Sequence, residues 1–187
     1  MTSSSNAEIE LFSKLADDIK ANYPAEEMWE GSPFQWIQTL HSKQIGTVGE
    51  ILVSNWAIEK GFEVKRALNS DADRIINGHR IEIKYSSLWR NGTYTFQQLR
   101  DQEYDYCLWI GVSPFDVHAW LVPKNILLSN PPAGIRPQHK GNAGTETWWM
   151  KNLDPHNVPR WLLQYGGSLD ELEKQFIIIG KGGHTGR

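Results

Sequence analysis

The chain reads as an α/β protein, a mixed β-sheet flanked by helices, and three features predict it. An amphipathic helical period over residues 47–60 ends at Gly61, a glycine placed to cap a helix C-terminus. Asn77-Gly78, the preferred pair for a two-residue type I′ turn, stands between β-branched runs and predicts a hairpin. Tyr104–Val112 and Asp116–Val122 are apolar runs of strand length separated by Ser113-Pro114. Helix, strand, hairpin and further strands in that order make an α/β alternation.

The 187 residues suit one domain with a substantial core. Hydrophobic residues make up 40% and charged residues 22%, as in ordinary globular chains. No apolar run reaches membrane-spanning length, and no basic-then-apolar leader opens the chain. A lone Cys107 excludes a disulfide framework and a cysteine zinc site, which points to a reducing cytoplasm. The net charge of −3 argues against a module that holds nucleic acid by bulk electrostatics. It leaves room for a metal-dependent site whose carboxylates an ion neutralises.

Taken in order, residues 1–5 form a polar tail. Ile9, Leu11, Leu15 and Ile19 recur at helical spacing from Asn6 to about Tyr23, with Pro24 as the stop. Ser32-Pro33 signals a second helix carrying Phe34, Ile37 and Leu40. In the third, from about Thr47 to Lys60, Val48, Leu52 and Trp56 make the apolar stripe. Gly46, Glu50, Ser54 and Ala57 lie on the stripe beside it, small residues around one carboxylate that permit a close approach to a partner. Phe62–Ala67 reads as a strand before the hairpin. After it, Asn91-Gly92 marks a turn, Phe96–Arg100 a short helix and Pro123–Leu128 another. Leu169–Ile179, capped by Ser168, closes the chain as an amphipathic helix.

The hairpin carries the chemistry. Counting outward from the turn, Ile76 faces His79, Ile75 faces Arg80, Arg74 faces Ile81 and Asp73 faces Glu82. Side chains alternate faces, so Ile76, Ile81 and Ile83 form a core face, while Asp73, Glu82 and Lys84 share the other. Like charges directly across a strand pair, roughly 5 Å apart, destabilise it. A divalent cation between the carboxylates would offset that repulsion, and so few hard oxygen ligands suit Mg²⁺. Lys84 could then orient or deprotonate a water, or stabilise charge on phosphorus.

An Asp, a short hairpin and then Glu-x-Lys is the pattern of the PD-(D/E)xK nucleases, and Asp73 with Glu82-Ile83-Lys84 resembles that superfamily. The leading Pro-Asp is replaced by Ser70-Asp71-Ala72-Asp73, which leaves Asp71 or Asp73 as the first ligand. The hairpin count favours Asp73, since Asp71 falls opposite Lys84 as its salt-bridge partner. The resemblance spans about Gly46 to Lys124 and implies a restriction-endonuclease-like core. It implies catalysis by Glu50, Asp73, Glu82 and Lys84, with Asp73, Glu82 and Glu50 on Mg²⁺. Members of the superfamily place a Gln or Arg on the helix after Glu-x-Lys, which makes Gln98 and Arg100 candidates for DNA contact.

Pro131–Thr147 is too polar for core and long for a connector. Arg136, Gln138, His139, Lys140 and Asn142 lie in it, side chains able to meet base edges and phosphate. A DNA-recognition loop over about 131–149 is therefore expected, with Trp148 and Trp149 as its anchors. His118, His139, His156 and His184 have no zinc-site spacing.

The whole chain thus implies a Mg²⁺-dependent endonuclease acting on double-stranded DNA, a type II restriction enzyme by its size and loop. A double-strand cut at a palindrome implies a homodimer. The alternatives are a repair or Holliday-junction-type nuclease, a non-catalytic DNA-binding protein on a nuclease fold, and a Trp-rich ligand-binding module.

Overall fold

A computed structural model describes residues 13–15, 27–67, 71–129, 131–139 and 146–182. The helix expected over residues 6–23 falls largely outside them; residues 13–15 are helical. Ser32-Pro33 opens a 3-10 turn over Gln35–Thr39 in place of the expected α-helix. The Ser32 hydroxyl accepts the Phe34 N–H and donates to the Pro114 carbonyl, which pins this segment to a distant loop.

Helix α1 (Ser42–Glu59) begins earlier than its apolar period predicts. At its start the Gln44 side chain accepts the His41 N–H, while the Gln44 N–H donates to the His41 carbonyl. Its end follows the expectation, with Gly61 at φ 82°. The buried face corrects the predicted stripe: Gly49, Val53, Ser54 and Ala57 are buried, Leu52 is exposed and Trp56 is half-buried. The helix lies so close to the sheet that its smallest residues take the contact.

Among the described residues eight strands form two sheets. The first has the order β1 (Val64–Arg66), β2 (Arg74–Ile76), β3 (His79–Ser87), β5 (Tyr106–Val112) and β6 (Val117–Pro123). It is mixed, because β3 and β5 run parallel while the other pairs are antiparallel. The hairpin register is the counted one for Ile76, Ile75 and Arg74, with Asn77 and Gly78 both at positive φ, but the ladder stops there and does not include Asp73 opposite Glu82. The second sheet has the order β4 (Tyr94–Arg100), β8 (Thr147–Leu153) and β7 (Ile135–His139), all antiparallel.

Two expectations fail here. Phe96–Arg100 is strand rather than helix, since Tyr94, Phe96 and Leu99 bury completely on the side of the second sheet that packs on β5 and β6. The expected recognition loop is largely sheet, with Arg136, Gln138 and His139 on β7 and Trp148 and Trp149 on β8. Pro137 is accommodated because β7 is an edge strand. Lys140 and Asn142 lie outside the described residues.

The five-stranded sheet separates two cores, which is why β5 is buried on both faces. Leu108, Ile110 and Val112 join Ile81, Ile83 and Leu121 under α1 and α3 (Leu169–Gly182). Cys107 and Trp109 join Trp120, Phe96, Met150 and Leu127 under the second sheet and the short helix α2 (Lys124–Leu128). The layers are thus helices, mixed sheet, and a second sheet with one short helix. Among the described residues no helix is long and apolar enough to cross a membrane.

Candidate active site

The site forms where β2 and β3 part. Their pairing ends at Arg74 opposite Ile81, so residues 82–87 of β3 keep a ladder partner, among the described residues, only in β5. The Asp73 N–H donates to the Ile81 carbonyl at 3.0 Å, and the Asp73 carboxylate then accepts the Ile83 N–H at 2.7 Å. A side chain thus takes the place of the missing backbone acceptor, which fixes Asp73 against β3.

The gap opens into a cavity of 530 Å³ whose lining includes Gln38, Glu50, Asp73, Glu82, Lys84, Gln97 and Gln98. α1 supplies one wall, β3 the floor and β4 the other wall. Lys84 donates to Glu82 Oε1 at 2.6 Å, and both side chains are largely buried. Glu50 meets Arg74, whose Nη1 donates to its Oε2 at 3.2 Å. Arg74 Nε donates to the Ser54 hydroxyl at 2.7 Å, and that hydroxyl donates to the Glu50 carbonyl. One helical turn and one arginine therefore hold Glu50 over the cavity.

The carboxylates are crowded and short of water. Burial pushes the Glu82 carboxyl above its ordinary value of 4.5; Lys84 opposes the shift, and the nearby charges of Asp73 and Glu50 add to it. Glu50 is raised as well, by burial first and by Asp73 next, against the pull of Arg74 and Lys84. Two glutamates that resist ionising, with Asp73 beside them, offer the oxygen chemistry that a hard divalent cation takes. Among the described residues no group of three or more His, Cys, Asp or Glu side chains is arranged to hold a metal ion. In this arrangement Lys84 and Arg74 neutralise Glu82 and Glu50.

Of the residues expected from sequence, Glu50, Asp73, Glu82, Lys84 and Gln98 share the cavity. Asp73 lines it and Asp71 does not, and Lys84 is paired with Glu82 where Asp71 was expected. Arg100 is exposed, opposite Thr147 on β8, and does not line the cavity. Arg136 and Gln138 stand on β7, where Gln138 reaches Gln97 and Gln98. Sequence reasoning missed Arg74, Gln38 and Gln97. Arg74 was counted toward the end of the core face, and the one available signal was an arginine beside isoleucines on an otherwise apolar strand.

No protein-family model matches the chain, and no curated protein matches it. Among solved structures it is similar to a bacterial homing endonuclease, I-Ssp6803I, at 13% identity and a TM-score of 0.49, over 78% of this chain and 98% of that chain.

Proposed function

We propose that the protein is a Mg²⁺-dependent DNA endonuclease, sequence-specific in the manner of a type II restriction enzyme. The observation that carries the reading is the meeting of Asp73, Glu82 and Glu50 with Lys84 in one cavity at the open edge of β3. Desolvated carboxylates beside a lysine suit phosphodiester hydrolysis better than a solvated surface face, which would have no reason to bury Glu82.

In this reading Asp73 and Glu82 hold the cation, with Glu50 contributing directly or through water. When bound, the ion supplies Lewis acidity toward the phosphate and lowers the pKa of a coordinated water. Lys84 moves off Glu82 to orient the attacking water or balance charge growing on the phosphate oxygens. Arg74 keeps Glu50 in place. Arg136 on β7 is the group that would meet base edges, while the Gln138 amide is taken up by Gln98 and Gln97. Cutting both strands of a palindrome would take a homodimer, with one cavity for each strand.

The test is plasmid cleavage with Mg²⁺ or with EDTA, beside Asp73→Asn and Lys84→Ala. Discrete bands that require the ion and vanish in both variants are expected. Intact linear DNA with cut four-way junctions would move the reading to a structure-specific nuclease. Binding without cutting on any substrate would leave a non-catalytic DNA-binding protein.

A further inference from the structure

Strand β4 holds a conformation that its own sequence does not favour. Gln98 has φ of 55°, in the left-handed region that disfavours residues with a Cβ. The register with β8 shifts between Phe96 and Leu99, so Gln98 sits in an irregularity of the ladder. Support comes from outside the strand. The Gln98 N–H donates to Gln138 Oε1 at 2.8 Å, and Gln138 Nε2 donates to Gln97 Oε1 at 3.1 Å. A backbone N–H can only donate, so the Gln138 oxygen must face it. That choice orients the Gln138 amide and obliges Gln97 to present its own oxygen.

Gln138 belongs to β7, and β8 lies between β7 and β4. The side chain therefore bridges the middle strand to reach the far one. Gln97 and Gln98, the two residues it holds, both line the cavity of Asp73, Glu82 and Lys84.

We propose that Gln138 is a positioning residue. It keeps the β4 irregularity in its left-handed form, so that the wall formed by Gln97 and Gln98 keeps its shape over the carboxylates. It does so from the strand that carries Arg136. The inference rests on the nuclease reading, in which a DNA strand lies between that wall and the β3 floor. A β7 seated on its proper bases leaves the bridge closed. A β7 displaced by wrong bases draws Gln138 away, and the wall relaxes. Sequence discrimination then shows in turnover as well as in binding.

The experiment compares the native chain with Gln138→Ala and with Gln138→Ala combined with Gln98→Asn. Asn takes the left-handed region more readily than Gln and keeps an amide in the cavity. DNA affinity measured with Ca²⁺ in place of Mg²⁺ is expected to change little in Gln138→Ala, while kcat falls about tenfold, and the Asn partner restores most of it. Backbone amide exchange at Gln98 needs no activity, and it should be slow in the native chain and about tenfold faster in Gln138→Ala. Equal exchange in the two proteins, or a loss of kcat that Gln98→Asn does not restore, overturns the proposal. If the native chain neither binds nor cuts DNA, the nuclease reading fails, and exchange at Gln98 still decides whether Gln138 holds the wall.

Discussion

Gly49 of α1 lies against the ring of Tyr85 on β3, so close that a Cβ at residue 49 would stand 2.7 Å from Tyr85 Cβ. The next residue along the helix is Glu50. The missing side chain thus sets how near the helix can bring its carboxylate to Asp73 and Lys84. Gly49→Ala should cost about 1–3 kcal/mol as an overpacked core position. At this chain length that lowers Tm by about 2–4 °C per kcal/mol. Scanning calorimetry checks it, with Gly46→Ala as the control. A Cβ at Gly46 meets nothing within 4 Å, so that change should be neutral or stabilising.

Asp73 has two duties that substitution can separate. Its carboxylate accepts the Ile83 N–H and carries charge into the cavity. Asp73→Asn keeps an acceptor and loses the charge, so cleavage should vanish while thermal stability stays close to native. Asp73→Ala strips the acceptor too and should destabilise by about 1–3 kcal/mol, the cost of an unsatisfied buried donor. Equal stability of the two variants would show that the hydrogen bond to Ile83 contributes nothing.

Arg74 lowers the pKa of Glu50, against burial, which raises it. Removing the guanidinium in Arg74→Met lets the carboxyl rise further, so Glu50 ionises only at higher pH. The acid limb of a pH–rate profile should move upward, with activity recovered at alkaline pH. An acid limb in the native position would separate Glu50 from the rate-limiting ionisation.

Cation binding should depend on pH in the same sense. Glu50 and Glu82 have folded pKa values above the ordinary 4.5, so the folded chain binds these protons more tightly than the unfolded chain. Their contribution to stability therefore falls as pH rises through the folded values. A bound cation relieves that loss and must displace fewer protons at high pH. The rise in Tm caused by Mg²⁺ should grow between about pH 5 and pH 8 and shrink in Glu82→Gln. A pH-independent effect, or none, speaks against these carboxylates as ligands.

The hairpin was legible because its signals are local. Asn77-Gly78 sets the turn, and alternation then assigns every side chain from Asp73 to Lys84 to a face. The β4 strand was not legible for a physical reason. The irregularity at Gln98 breaks the alternation and leaves Phe96 and Leu99 three apart, a helical interval, among residues that favour helices. Strand β7 was hidden similarly, by Pro137 and by a shift in register before His139. On α1 the apolar period pointed to Leu52, whereas close packing against β3 selected Gly49 and Ala57. Propensity and pattern describe one segment at a time; each of these outcomes was decided by a second segment distant in sequence.

The split of strands between two sheets also sets an order on the ribosome. The parallel partners β3 and β5 can meet once Val112 has emerged, yet β4 lies between them in sequence and pairs only with β8 among the described strands. At about 5–20 residues per second, β4 waits roughly 2–10 seconds for residues 147–153. Throughout that wait Tyr94, Phe96 and Leu99, fully buried in the finished protein, sit on a strand whose one charge is Arg100 at its end. The nascent chain therefore carries a sticky, unpaired edge until residues 147–153 are made, and a polypeptide ended before Thr147 would be a substrate for chaperones and proteases rather than a smaller protein.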